Sequence, residues 1–250
     1  MYNLNYYNYN FFNKDFLVKE VSFYETKLLL KKINTADIEQ VFDNLLSVCV
    51  KNKNLNVLEK IILLFYIRGF IFGNEVTFKK DSSDIAVNLL DVVDNFLNEK
   101  TILNIKINNL NYDFSYVNNF KSFENKLLFI ENSLLSVNGI NVQNVEDKLK
   151  YLPAINIQEI YDKIFNYFYS FNYELKILDY EININNILNF LRSIYTCDLM
   201  DLYEIEYKLR RLLNFNSEDL KNNSLPECRI LLNLYIKDSK ESEVEQQNIQ

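Results

Sequence analysis

An α+β fold is what this 250-residue chain predicts, and three observations lead there. Segments with apolar residues at three-to-four spacing alternate with shorter stretches at period two, the marks of amphipathic helix and half-buried strand. The period-two stretches gather in the first half, and the second half reads as mostly helical. One run, Ile61 to Phe72, is apolar except for Arg68 and Gly69, so it belongs to a helix buried on most sides. The chain then divides into an aromatic arm at 1–15, an α+β domain at 16–139 with a short antiparallel sheet, a helical region at 140–238, and a polar tail at 239–250 expected to be disordered.

The arm, MYNLNYYNYNFFNKDF, is rich in Tyr and Phe. Tyr6, Tyr7, Tyr9, Phe11 and Phe12 are candidate docking residues, for the arm's own domain or for a neighbour, because aromatic side chains are enriched at interface cores. Phe16–Phe23 reads as a strand and Tyr24–Ile33 as a helix. In TADIEQVFDNLLSVCVKN, Thr35 is the expected N-cap. Ile38, Val41, Phe42, Leu45, Leu46 and Cys49 form the apolar stripe. The helix Val57–Phe72 follows, with Gly73 as its terminator. About 12 apolar residues fall well short of the ~20 that cross a bilayer, so no membrane span is expected.

NEVTFKK alternates as a strand, and DIAVNLLDVV begins as one. Thr101–Val117 reads as two strands turning at Asn108-Asn109, since Asn tolerates the positive φ such a turn needs. Phe123–Leu135 is ambiguous between helix and strand, and Gly139 marks a turn. VEDKLKYL is expected to be a helix ending before Pro153. In NIQEIYDKIFNYFYSFNYEL, residues Ile157, Ile160, Tyr161, Ile164, Phe165 and Phe168 form one helical stripe. ILDY reads as a short strand, and INNILNFLRSIY and LYEIEYKLRRLLNF as amphipathic segments. Ser224 and Glu227 have capping-box spacing at the start of a last helix.

Composition narrows the chemistry. The chain has no His and no Trp, 3 Gly, and 38 Asn. Asn, Lys, Ile, Tyr and Phe are the residues of AT-rich codons, which accounts for the bias. Without His, triads built on imidazole and Cys/His zinc sites are excluded. Three scattered glycines make no phosphate-cradling loop. Asp81–Asp84 and the pair Asp198/Asp201 are the carboxylate clusters, and neither has the ligand number of a Ca²⁺ loop. No catalytic residue, cofactor or metal is therefore expected. A net charge of −7 with no basic stripe argues against nucleic acid. Cys49, Cys197 and Cys228 are far apart and odd in number, which fits reduced thiols in a cytosolic setting. The N-terminus has neither a basic n-region nor an apolar h-region, so no signal peptide is expected. Arg68 is expected to snorkel outward or to pair with a carboxylate such as Glu75.

One ordered set of residues resembles a known family. Tyr24, Lys27 and Leu28 open the helical part, Cys49 closes the next helix, and Arg68, Gly73 and Glu75 follow the long apolar helix. This order is similar to that of the baseplate hub and hub-assembly proteins of T4-like contractile-tailed phages. The likeness covers about residues 16 to 95. Ile67 stands where Leu is usual, Phe72 precedes the Gly where a small or apolar residue is expected, and Asn74 separates Gly73 from Glu75. The resemblance implies a structural component or assembly factor of the tail baseplate. It implies binding to other tail proteins without catalysis, and location in the virion after assembly in the host cytoplasm. It also implies that the motif residues are structural and that the arm is a docking segment. The alternative is a general interaction or chaperone-like protein from an AT-rich genome.

Overall fold

The protein is α+β in a computed structural model that describes residues 4–80, 83–97, 100, 102–142, 157–171, 173–175 and 180–248. At its centre lies α3 (Val57–Phe72), bounded as the sequence predicts. Asn56 caps it: its side chain accepts from the Glu59 N–H, and the Glu59 carboxylate accepts from the Asn56 N–H, both at 2.9 Å. Gly73 ends it at φ 86°, a left-handed conformation that costs a side-chain-bearing residue energy. In between, Val57, Leu58, Ile61, Ile62, Leu63, Leu64, Phe65, Ile67 and Ile71 are all buried. Such a helix needs neighbours on every side. They are α2 (Ile38–Cys49), α4 (Leu89–Phe96), α7 (Ile187–Ile194) and α10 (Leu225–Asn248). The core is therefore continuous across residue 139.

Short antiparallel hairpins surround this helix. β1 (Tyr6–Phe11) pairs with β2 (Lys14–Lys19), and β3 (Glu75–Lys80) pairs with β4 (Ser83–Asn88). β5 (Leu103–Ile107), β6 (Leu110–Phe114), β7 (Leu134–Val137) and β8 (Ile140–Asn141) form an antiparallel meander. A short 3-10 turn and α5 (Lys126–Ser133) are inserted between β6 and β7. The turns use positive φ at Phe12-Asn13, Asn108-Asn109 and Asn138-Gly139. Among the described non-glycine residues with positive φ, all but Phe12 are asparagine. Asparagine also caps α3, α4 and α5. Its short amide bonds to nearby backbone and tolerates the left-handed region. In a chain with so little glycine, asparagine supplies the turns.

Several boundaries differ from the sequence reading. The strand expected over Phe16–Phe23 stops at Lys19. Ser22 instead caps α1 (Phe23–Lys32), accepting from the Glu25 N–H at 3.1 Å while the Glu25 carboxylate accepts from the Ser22 N–H at 2.9 Å. The cap of α2 is Asp37, which accepts from the Glu39 N–H at 3.0 Å. The Thr35 hydroxyl is engaged elsewhere, donating to the Lys31 carbonyl at 3.1 Å. DIAVNLLDVV splits at Asn88, whose side chain accepts from the Leu90 N–H and turns strand into α4.

The expected long helix from Asn156 ends early. It becomes α6 (Ile157–Phe168), followed by a hairpin of β9 (Tyr173–Leu175) and β10 (Tyr180–Ile182). The expected helix VEDKLKYL and most of ILDY lie outside the described residues. α8 (Leu199–Leu212) and the short α9 (Ser217–Asn222) precede α10. The Ser224 capping box is present, the Ser224 N–H donating to Glu227 at 2.8 Å. α10 continues to Asn248, so the tail read as disordered is helix for most of its length. Its Glu, Lys and Gln residues are good helix formers even without an apolar stripe.

Candidate interaction surface

Arg68 is not a surface residue. It sits one turn before the end of α3, 7% exposed, and gathers three backbone carbonyls. Its Nε donates to Ile194 at 3.1 Å, and one terminal nitrogen donates to Gly73 and, at 3.1 Å, to Glu75. The Phe72 ring lies 5.6 Å from the guanidinium. Burial pulls the guanidinium's pKa below its ordinary value, and the neighbouring Tyr195 opposes this. The expectation of an outward or carboxylate-paired side chain is corrected here, because the partner at Glu75 is its main-chain oxygen. Arg68, Gly73 and Glu75 thus form one unit that fastens the end of α3 to the start of β3 and to the end of α7. Its chemistry is hydrogen-bond satisfaction, since carbonyls at helix ends otherwise lack donors.

Tyr24, Lys27 and Leu28 occupy the outer side of α1. Tyr24 is 44% and Leu28 38% exposed. A groove of about 320 Å³ runs between α1 and α2. Its floor is Leu29, Val41 and Leu45, with Val48 and Leu28 at the lip. On the other side of Leu28 a second groove of about 170 Å³ separates α1 from α8 and α9, lined by Phe23, Tyr24, Lys31, Arg210 and Ser217. The α1 ridge therefore stands between two depressions and offers an apolar crest.

Charge fixes one wall of this surface. Lys27 pairs with Glu206 of α8 and lies 4.1 Å from the centre of the Tyr203 ring. Arg210 donates twice to the same Glu206 carboxylate, at 3.0 and 2.9 Å. Burial pushes the Glu206 pKa upward, but the hydrogen bonds from Lys27 and Arg210 outweigh it and hold the group below the usual glutamate range. A depressed folded pKa gives stability that is complete above the unfolded value of about 4.3 and lost as pH falls through the folded value. Glu206→Gln is accordingly expected to be less stable than wild type at neutral pH. Its melting temperature is expected to fall less between about pH 5 and pH 3, as checked by thermal melts across that range.

α8 adds residues that the sequence reading did not single out. Met200 is 71%, Tyr203 40% and Tyr207 58% exposed, at three-to-four spacing along one face. Arg211 lies over the Tyr207 ring, 5.8 Å from its centre. The spacing of Met200, Tyr203 and Tyr207 on an otherwise charged helix was the available signal, and their closeness to α1 was not.

The N-terminal aromatics mostly pack on their own molecule. Tyr7 stacks on Phe70 at 4.7 Å, Tyr9 on Tyr66 at 4.1 Å and Phe11 on Phe16 at 4.2 Å. Phe12 faces Tyr116 at 6.4 Å. The Tyr7 and Tyr9 rings thereby cover Phe70 and Tyr66 of α3. Phe11 is buried, which removes it from any interface, whereas Tyr6 and Tyr7 keep substantial exposure. Of the arm expected at 1–15, the residues from Tyr6 on are not detached, since their strand belongs to a hairpin that ends at Lys19.

Cys49 and Cys228 are buried, and burial pushes both thiols up to about 12, far from reactive thiolates. Among the described residues, no helix is long and apolar enough to cross a membrane, and no group of acidic or cysteine side chains is arranged to hold a metal ion. No family model, curated protein or solved structure matches the chain.

Proposed function

We propose that the chain is a binding protein of a contractile-tail baseplate, a component of the central hub or a factor that assembles it. It holds other tail proteins through the α1–α8 face, without catalysis and without nucleic acid or a membrane. The observation that carries this reading is the exposure of Tyr24 and Leu28 on a crest between two grooves. Of the residues carrying the family resemblance, Arg68, Gly73 and Glu75 are accounted for by internal hydrogen bonds. The exposed Tyr24 and Leu28 are not, and a partner's apolar side chains in the flanking grooves would account for them. Tyr203, Tyr207 and Met200 extend the same face with residue types that anchor interfaces. Lys27 and Arg210 are already committed to Glu206, which leaves the wall short of free positive charge for a phosphate backbone.

The test is an inventory by mass spectrometry of the particles that co-purify with the tagged chain. Tail proteins in stoichiometric amount are expected. Their absence from the captured material overturns the baseplate reading. The surface itself is tested by Leu28→Asp, which puts a charge on the crest. Capture of the partner is expected to fall by at least about tenfold. The melting temperature is expected to stay close to wild type, because a half-exposed position away from the core tolerates substitution. Undiminished capture would move the binding face elsewhere.

A further inference from the structure

The two edges of the N-terminal hairpin differ. The Glu20 N–H donates to the Asn5 carbonyl at 2.9 Å, which sets the phase of the ladder. In the observed register, Tyr7/Val18, Tyr9/Phe16 and Phe11/Lys14 are then the pairs that exchange hydrogen bonds. The backbone groups of Tyr6, Asn8 and Asn10 point away from β2. On the far side, the equivalent outward groups of β2 are covered. Lys51 N–H donates to the Leu17 carbonyl at 3.1 Å, and the Asn52 side chain bonds Leu17 N–H at 3.2 Å and the Asp15 carbonyl at 2.8 Å. Among the described residues β1 has no second strand neighbour, and its outward groups have no hydrogen-bond partner.

Exposed edges are normally blunted by a charge, a proline or a bulge. Tyr6–Phe11, YYNYNF, has none of these, and its register with β2 is unbroken. We infer that this edge is a self-docking surface, at which two copies of the chain join β1 to β1 in antiparallel fashion about a two-fold axis at Asn8. The pattern of outward groups favours a second copy. The three outward residues are centred on Asn8, so the axis brings Tyr6 opposite Asn10 of the other copy and Asn8 opposite Asn8. Each such pair exchanges two hydrogen bonds.

The intervening residues bring Tyr7 opposite Tyr9, a favourable aromatic cross-strand pair. No charged side chain lies on the strand, although the whole chain has a net charge of −7. The acidic groups beside it are engaged: Asp15 accepts from Asn10 at 2.9 Å, and Glu20 from the Asn5 N–H at 3.0 Å. The edge is thus a place where two acidic molecules can meet without opposing carboxylates. The result is a four-stranded sheet with the aromatic layer over α3 continued across the axis. This inference does not rest on the baseplate reading.

Sedimentation equilibrium over a concentration series tests it with the isolated full chain. Wild type is expected to rise from the monomer mass of 29.9 kDa toward twice that value as concentration increases. Asn8→Lys and Asn8→Glu each bring like charges together at the axis and are expected to remain monomeric. An equimolar mixture of the two is expected to recover the dimer, because unlike charges then face each other. Asn8 is exposed, so both variants should retain the wild-type circular dichroism and melting temperature. A wild type that stays monomeric throughout, single variants that dimerise as wild type does, or a mixture that fails to pair would each overturn the inference. The first of these outcomes would leave the edge to an extended segment of another protein.

Discussion

Arg68→Ala is expected to lower the unfolding free energy by about 3 kcal/mol, because the change removes a charged donor from three carbonyls at once. A hydrogen bond to a charged group contributes about 1.5 to 3 kcal/mol. The loss here stays below the sum over three bonds, since water can reach the Gly73 and Glu75 oxygens once the side chain is gone. The Ile194 carbonyl is the deepest of the three and is left with the least help. Arg68→Lys should recover only part of the loss. An ammonium on a flexible stem cannot reach three acceptors that a planar fork spans together. Arg68→Met keeps the apolar stem beside Phe72 and so separates packing from hydrogen bonding. Urea unfolding of the three variants is the measurement. A loss for alanine below about 1 kcal/mol would mean that Arg68 is not what joins α3, β3 and α7. Partner capture by the folded fraction should be unaffected, because no atom of Arg68 lies on the α1–α8 face.

What could be read from the sequence follows from how local each signal is. Both ends of α3 were legible, since the apolar run from Val57 has one interpretation and Gly73 is local terminator chemistry, although the equally local Asn56/Glu59 box that starts the helix was not read. The Asn108-Asn109 turn was legible for the same reason. The strand expected over Phe16–Phe23 failed because two local signals overlap there. The alternation of FLVKEVSF competes with the Ser22–Glu25 capping box, and the box wins because Phe23, Leu29 and Leu30 of the helix it starts are buried. The aromatic spacing in the segment after Phe168 mimics a continuing helix and hides the β9–β10 hairpin. The continuation of α10 was missed because a polar sequence carries no periodicity, although its residues favour helix.

The candidate surface was legible only as separate pieces. Tyr24, Lys27 and Leu28 could be named from the chain. That Lys27 meets Glu206, 179 residues later, is a long-range contact with no local trace. The same holds for Arg68 and the Ile194 carbonyl, 126 residues apart. Sequence reasoning singled out Arg68 but neither its burial nor its acceptors, and it expected an outward head or a carboxylate such as that of Glu75 where the fold uses main-chain oxygens.

Phe65→Ala is expected to cost about 4 kcal/mol, within the range for emptying a phenylalanine site in a packed core. Phe65 is 1% exposed at the middle of α3, with its ring 6.0 Å from Phe96 of α4 and 6.1 Å from Phe190 of α7. Those two rings belong to the two halves that composition separates near residue 139, so the void is shared between them. If the halves were independent folding units, the variant would melt in two steps, with one step unchanged. Because α3 packs against α4 on one side and against α7 and α10 on the others, both halves should lose stability together in a single transition. Phe65→Leu should lose less, since it leaves a smaller cavity between the same neighbours. A fragment of residues 1–139 carries the same argument further. It would expose the faces of α3 that α7 and α10 cover, and it would leave Arg68 without the Ile194 carbonyl. It is therefore expected to lack a cooperative melt. A fragment that unfolds sharply at the temperature of the full chain would show that the α3 contacts across residue 139 do not hold the fold together.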